Sequence, residues 1–111
     1  ILVGGFRDPV FGPIVMFGSG GKYVEIFNET CMKSAYLSDK DIEEVINRTK
    51  IGELFKGVRG ESAIELSEVK ELIKSSARML LDNPSITEFD FNPVILSKNE
   101  IFVVDARIKT N

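Results

Sequence analysis

Histidine and tryptophan are absent from this 111-residue chain, and cysteine occurs once, as Cys31. Without histidine, the chain cannot supply a Ser-His-Asp or Cys-His nucleophile, or a zinc site that uses histidine. A single cysteine cannot form an internal disulfide bond, which is typical of proteins from a reducing cytoplasm. We therefore expect Cys31 to be an inert thiol, and we expect no residue of this chain to act as a covalent catalyst.

Long apolar runs and clusters of like charge are also missing. No apolar run approaches the roughly 18 residues of a membrane span, and no secretory signal is visible. The 14 basic residues are interspersed with 17 acidic ones, for a net charge of −3, so no basic stripe indicates nucleic-acid binding. With 43% hydrophobic and 28% charged residues, the composition predicts one globular cytoplasmic domain over residues 1–111.

The apolar pattern predicts strands, then helices, then strands. Alternating segments predict strands at residues 1–6, 11–17, 23–27 and 30–37. Helical spacing predicts a helix at 38–48 that begins with a capping box of Ser38 and Asp41, further turns at 51–58 and a long helix at 66–82. The order predicts an α+β fold, in which helices cover one face of a mainly antiparallel sheet and leave the other partly free.

The final segment, 87–109, predicts a hairpin with one specific register. Opposite charges meet on one face if Glu88 lies opposite Lys109 and Asp90 opposite Arg107. The same register makes the other face apolar, through the pairs Phe89–Ile108, Phe91–Ala106, Pro93–Val104 and Ile95–Phe102. A slip by one residue destroys both patterns, so the register is a testable prediction.

Asn92 lies opposite Asp105 in this register. Residues directly opposite in an antiparallel pair hold their Cβ atoms about 4.5–5.5 Å apart, so the two side chains could offer two oxygens to one hard cation. Magnesium retains water and uses phosphate oxygens, so two protein ligands are enough. The spacing alone also allows a plain structural role, with Asn92 as a turn residue before Pro93 and Asp105 as a solvated carboxylate.

Four motifs resemble one family. FDFNPVIL (89–96) and VVDAR (103–107) resemble the last two strands of the ATP-grasp domain in NDP-forming acyl-CoA synthetases, relatives of the succinyl-CoA synthetase β subunit. RDPVFGPIVMFGSGGKYVEIF (7–27) and LFKGVRG (54–60) resemble two upstream motifs of that family. The resemblance covers almost the whole chain in family order and implies the C-terminal portion of an ATP-grasp domain, whose N-terminal lobe is absent here.

The resemblance also implies functional residues. Asn92 and Asp105 match the positions at which the family holds Mg²⁺, or Mn²⁺, on the phosphates of ATP or ADP. Arg7, Lys33 and Arg107 are the candidate cations for contact with the nucleotide. The family often has arginine in place of Lys33 and proline in place of Tyr36, and lysine lacks the bidentate geometry of arginine.

The implied reaction converts ATP, a carboxylic acid and CoA to ADP, phosphate and acyl-CoA, with a CoA-binding α subunit or domain as partner. The family relays phosphate through a histidine, which must then lie outside this chain. We therefore expect a fragment or subunit that is inactive alone. Two alternatives remain: a non-catalytic binding or interaction module, such as the related segment fused to protein acetyltransferases, and a plain α+β domain. The roles of Arg59 and of the glycine-rich loop at 18–21 stay open.

Overall fold

A computed structural model describes residues 1–18, 30–48, 66–97 and 100–111 of the chain. The elements of these ranges, in chain order, are β1 (Leu2–Asp8), β2 (Gly12–Gly18), β3 (Thr30–Ser34), α1 (Asp39–Asn47), α2 (Leu66–Asp82), β4 (Ile86–Phe91), β5 (Val94–Ser97), β6 (Glu100–Val103) and β7 (Ala106–Thr110). The strand predicted at 23–27 and the helical turns predicted at 51–58 lie outside the described residues.

The described strands form one large antiparallel sheet and one small ladder. The large sheet has the order β3-β2-β1-β4-β7, and β5 pairs with β6. Both helices pack on the same face of the large sheet, where one core cluster joins residues of β1, β2, β3 and β4 to residues of α1 and α2. This arrangement confirms the predicted α+β fold. Neither of these helices has the length and hydrophobicity that a membrane span requires.

Two of the predicted strands, β1 and β3, have ends that differ from the prediction for local backbone reasons. β1 extends to Asp8, and Pro9, which lacks an N–H group, follows it. The strand predicted at 30–37 is too long, because β3 ends at Ser34. Beyond that point the Ala35 N–H donates to the Pro13 carbonyl and the Leu37 N–H donates back to Ala35. The chain therefore turns before the helix begins.

The predicted capping box is confirmed at the start of α1. The Asp41 N–H donates to the Ser38 hydroxyl at 3.1 Å, and the Ser38 N–H donates to the Asp41 carboxylate at 3.0 Å. The two bonds satisfy backbone donors that have no partner inside the helix. They also lower the pKa of the Asp41 carboxyl, chiefly through the bond from the Ser38 backbone.

The long helix α2 has the bounds that its apolar spacing predicts. Its inward positions at i, i+4, i+8 and i+11 are fully or nearly fully buried: Val69, Ile73, Ala77 and Leu80. Ion pairs join it to α1, with Lys74 Nζ 2.6 Å from Asp39 and Lys70 Nζ 3.1 Å from Glu43. The residue numbers rise in one helix as they fall in the other, so the two helices are antiparallel. Cys31 lies buried beneath them as a free thiol.

The predicted register of the last hairpin is confirmed throughout. Glu88 lies opposite Lys109 and Asp90 opposite Arg107 in the β4–β7 ladder. Ile95 lies opposite Phe102 in the β5–β6 ladder. The pairing is therefore the predicted one, with an ion pair at Glu88–Lys109.

The predicted facing of this hairpin is wrong from Pro93 onward. The Asn92 N–H donates to the Asp105 carbonyl at 3.0 Å, and the Val104 N–H donates to the Pro93 carbonyl at 3.0 Å. A regular antiparallel ladder alternates bonded and non-bonded pairs, so two successive bonded pairs interrupt the alternation. In consequence Val94 is 2% exposed, whereas Ile95, predicted to share the apolar face of Phe89, is 50% exposed. Pro93 lacks the N–H group that a regular ladder requires.

Candidate functional site

The large sheet has a helix face and an open face. Val3, Phe17 and Phe89 are buried on the helix face, where they belong to the core shared with both helices. A Cβ atom added at Gly4 would lie 3.5 Å from Met16 Cε and 3.9 Å from Asp90 Oδ1. Since neighbouring residues of a strand point to opposite faces, these side chains lie on the open face, away from the helices.

Asn92 and Asp105 are neighbours at one end of the open face. The backbone hydrogen bond of 3.0 Å between them makes them a directly opposed pair, so their side chains leave the sheet on the same side. Alternation from Asp90 in β4 places that side on the open face. Asp105 is exposed and Asn92 is half-buried, and the peptide bond after Asn92 is cis. Their backbones are therefore directly opposed, and the Asp105 side chain is open to solvent.

The donor set of this pair fits a hard divalent cation that also takes oxygens from a ligand. An amide oxygen and a carboxylate oxygen are ligands that Mg²⁺ accepts, and Mg²⁺ completes its shell with waters and phosphate oxygens. In the described part of the chain, no group of three or more Cys, Asp or Glu side chains forms a metal site. A cation at Asn92 and Asp105 would therefore depend on further oxygens from a bound ligand.

Two cross-strand pairs of oppositely charged residues lie beside Asn92 and Asp105. Glu88 and Lys109 form a cross-strand ion pair of 3.1 Å. Asp90 and Arg107 face each other in register, but within the described residues neither side chain forms an ion pair. The Asp90 carboxylate instead lies above Gly4 of the neighbouring strand, with Oδ1 3.9 Å from the position of a Cβ atom added there. The exposed Arg107 guanidinium is left on the open face, two residues from Asp105.

Arg7, the second predicted phosphate contact, has its side chain on the helix face. Its Nε donates to the Ile86 carbonyl at 2.7 Å, and its Nη2 donates to the carbonyls of Leu80 and Asn83. The last carbonyls of a helix have no partner within the helix, so this arginine caps the C-terminal end of α2. The structure gives Arg7 a structural role that the sequence did not indicate, and its contact with nucleotide stays a prediction.

Lys33, the third predicted contact, also points towards the helices. Its Nζ lies 3.1 Å from Glu44 in α1, and the Lys33 side chain is only 25% exposed. Arg48 completes the cluster, 2.7 Å from the other oxygen of Glu44. Glu44 has a lowered pKa, first because it accepts a hydrogen bond from Lys33 and then because Arg48 is near. The structure thus separates Lys33 and Arg7 from the open face, where it brings Asn92, Asp105 and Arg107 together.

Two features of the open face were not predicted from the sequence. Gly4 leaves room there, and Met32, opposite Met16 in register, is 55% exposed. Strand alternation in β1 and β3 is the signal that would have placed them. The neighbouring Gly5 serves the helix face instead, because a Cβ atom there would collide with Cε1 of the Phe89 ring.

The sequence of this chain matches a known protein family. The family model described as "ATP-grasp domain" matches residues 1–110. The chain belongs to the ATP-grasp family. The observed sheet with helices on one face is accordingly the C-terminal part of an ATP-grasp domain, as the motifs implied.

Several curated relatives of this ATP-grasp domain are named as ADP-forming acid–CoA ligases. The β subunit of acetate–CoA ligase (ADP-forming) I from Pyrococcus furiosus is 35% identical over 108 residues, which are 97% of this chain and 47% of that protein. Acetate–CoA ligase (ADP-forming) I from Archaeoglobus fulgidus is 33% identical over 108 residues. In that longer protein the matched region is 97% of this chain but 16% of the relative. The chain therefore spans at most about half of these two relatives.

Two solved structures are similar to this chain over 99% of its length. Acetyl-coenzyme A synthetase 1 from Candidatus Korarchaeum cryptofilum, in complex with coenzyme A and Mg-AMPPCP, superposes with a TM-score of 0.92 at 40% identity. The match covers 99% of this chain and 52% of that one. The protein PH1788 from Pyrococcus horikoshii superposes with a TM-score of 0.88 at 26% identity.

Proposed function

We propose that this ATP-grasp domain forms the nucleotide- and magnesium-binding part of an ADP-forming acid–CoA ligase. Such an enzyme converts ATP, a carboxylic acid and CoA to ADP, phosphate and acyl-CoA. The observation that carries the proposal is the opposed pair Asn92–Asp105, held together by its backbone bond on the open face of the sheet. The match to ADP-forming ligases along 97% of the chain supports it.

In the proposed site, Asn92 and Asp105 hold the metal ion. A bound Mg²⁺ supplies Lewis-acid and template chemistry to the phosphates that it contacts. The chain's own contribution is positional, because the ladder fixes the spacing of the two ligands. Arg107, exposed on the same face and free of an ion pair with Asp90 in the described residues, is the cation best placed to contact a phosphate oxygen.

The proposal requires partners for the reaction. The chain has no histidine, so a phosphate relay through histidine needs a residue from another segment. A CoA-binding α subunit or domain, and an N-terminal lobe that closes over the open face, would complete the enzyme. One of the related structures supports this division, since it is described with coenzyme A, Mg-AMPPCP and a phosphohistidine segment that points towards the nucleotide-binding site.

Titration of Mg–ADP into the intact polypeptide by calorimetry tests the metal assignment. We expect Asp105→Asn to weaken binding by about tenfold or more, because the carboxylate ligand of the pair is lost, and Asn92→Ala to weaken it less. Asp82→Asn is the matched control, since Asp82 is an exposed aspartate at the end of α2, away from the open face.

The metal dependence of these effects separates a ligand from a residue that merely shapes the fold. In EDTA, with ADP alone, all four proteins are expected to bind with the same weak affinity. Equal affinity of wild type and both site variants for Mg–ADP would overturn the assignment. A loss that persists in EDTA would also overturn it, because a metal ligand has no effect when the metal is absent.

A further inference from the structure

Strand β7 is an edge strand that no other described segment of the chain pairs with on its outer side. In the large sheet of the described residues β7 follows β4 at one end of the order, and all five of its residues, Ala106 to Thr110, are exposed. The exposed edge of a sheet presents backbone N–H and C=O groups that another extended segment can pair with. Proteins use such edges to bind extended peptides by strand addition.

Two hydrogen bonds show which backbone groups β7 presents. The Asn92 N–H donates to the Asp105 carbonyl, and the Asn111 N–H donates to the Ser85 carbonyl. Both bonds involve odd-numbered residues on the β7 side. The even-numbered Val104 bonds to Pro93 only before β7 begins, where the ladder is irregular, so within β7 the odd residues bond to β4. The backbone groups of the even residues, Ala106, Ile108 and Thr110, therefore point outward to the free edge.

The same alternation brings the two cations of β7 close to any added antiparallel strand. Arg107 and Lys109 bond to β4 through their backbones, so they would form the non-hydrogen-bonded pairs with the new strand. In such pairs the Cα atoms approach to about 4.5 Å and the side chains lie closest. Across the other ladder Lys109 already faces the acidic Glu88 at 3.1 Å. A strand with acids at these two positions would continue the alternation of acidic and basic strands.

The charges also argue against a second copy of β7 as the occupant. Antiparallel self-pairing about Ile108 places Arg107 opposite Lys109 twice, and like charges directly opposite destabilise a pair. Ile108 is 48% exposed and, with Ala106, lies on the helix face of the sheet. An added strand would therefore need apolar residues between its acids.

We infer that the free edge of β7 binds, in antiparallel strand addition, an extended partner segment in which acidic and apolar residues alternate. The acidic side chains lie opposite Arg107 and Lys109 on the open face, and the apolar side chains continue the row of Ala106 and Ile108 on the helix face. This inference rests on the edge geometry. It shares Arg107 with the proposed nucleotide site, so its test varies Lys109, which that site does not use.

Fluorescence anisotropy with labelled peptides and the intact polypeptide tests this inference. The probe is Thr-Val-Glu-Val-Glu-Val-Thr, and its charge-reversed partner carries lysine in place of both glutamates. We expect the acidic peptide to bind about tenfold more tightly at low salt, because two pairs change from opposite to like charge. The difference in affinity between the two peptides is expected to shrink in 0.5 M NaCl, because the Debye screening length there is only roughly 4 Å. Lys109→Glu is expected to weaken or reverse the preference.

Removal of an outward N–H group tests the strand-addition geometry. Proline is tolerated on an edge strand where its missing N–H faces solvent, so Ile108→Pro is expected to fold and to lose peptide binding, whereas Ile108→Val retains it. If the proline variant does not fold, N-methylation of the central valine of the peptide removes the same hydrogen bonding from the other side. Equal binding of both peptides, no binding, or binding unaffected by either change would overturn the inference. A dimer seen in sedimentation that Ile108→Pro dissociates would also overturn it, in favour of a second copy.

Discussion

The helix face and the open face of one sheet differ in how their side chains are satisfied. On the helix face Val3 and Phe17 are completely buried, and even the charged Arg7 and Lys33 have partners in or beside the helices. On the open face Arg107 is exposed without an ion partner among the described residues. One face has its interactions complete within the chain, whereas the other presents groups that a ligand can use.

Substitutions of neighbouring residues in one strand are therefore expected to change different properties of the protein. A side chain on the helix face contributes through burial, so its loss lowers the free energy of unfolding. A side chain on the open face contributes little to unfolding, and its loss is expected to appear in binding. Paired variants, one on each face, distinguish an effect on stability from an effect on binding.

Phe17→Ala is expected to have the largest effect on stability. Phe17 is 0% exposed in the core beneath the helices, and removing a buried phenylalanine costs about 3–5 kcal/mol through lost burial and the cavity left behind. Met32→Ala is the control on the open face, where the side chain is 55% exposed and the cost should stay below about 1 kcal/mol. Urea denaturation followed by circular dichroism measures both. Equal losses would show that the two faces do not differ as described.

Alanine at Gly5 and at Gly4 sharpens the comparison to adjacent positions. At Gly5 the new Cβ would collide with Phe89 Cε1 and lie 3.0 Å from the Ile14 carbonyl oxygen, so the ring must move, and such overpacking costs about 1–3 kcal/mol. At Gly4 the nearest atom is the Phe89 carbonyl oxygen at 3.2 Å, so a smaller cost is expected.

A double variant identifies the cause of the Gly5 effect. Phe89→Leu in the Gly5→Ala background removes the ring that the new methyl group meets, so its own cost should be smaller there than in the wild type. A double-mutant cycle of unfolding free energies measures this coupling. Additive costs would show that the ring is not the obstacle.

The sequence predicted the register of the last hairpin but not its facing. Register follows from matching charges, Glu88 with Lys109 and Asp90 with Arg107, and these are visible in the sequence. Facing depends on whether the ladder is regular through Asn92 and Pro93, and two successive bonded pairs make it irregular there. Alternation counted through a proline is therefore reliable only up to the proline.

The candidate site was predicted in part for a similar reason. Asn92, Asp105 and Arg107 come from one hairpin, so local alternation was enough to bring them together. Arg7 lies 73 residues from Leu80 in sequence, and its contact with the end of α2 depends on how that helix crosses the sheet. The residues around Arg7 in the sequence do not indicate how α2 crosses the sheet.

Arg7→Lys and Arg107→Lys separate the two arginines that the sequence grouped together. Lysine cannot reproduce the fork that binds three carbonyls, so Arg7→Lys is expected to lower the free energy of unfolding by about 1–3 kcal/mol with little change in Mg–ADP affinity. Arg107→Lys is expected to leave stability nearly unchanged and to weaken Mg–ADP. Denaturation and calorimetry on the same preparations measure both effects. A loss of affinity in stable Arg7→Lys would instead support its predicted contact with phosphate.

The smallest expected effect is the pH dependence of the α1 cap, which lies outside both faces. The Asp41 carboxylate accepts the Ser38 N–H, and this bond lowers the pKa of the carboxyl below its usual value of 3.8. The cap therefore stabilises the fold above that pH, and its contribution is lost as the pH falls through the lower folded-state pKa. We expect Asp41→Asn to lower the urea midpoint at pH 7, and we expect the gap from wild type to narrow as Asp41 protonates. A gap that stays constant from pH 7 to pH 3 would show that the charge of this carboxylate adds nothing to the cap.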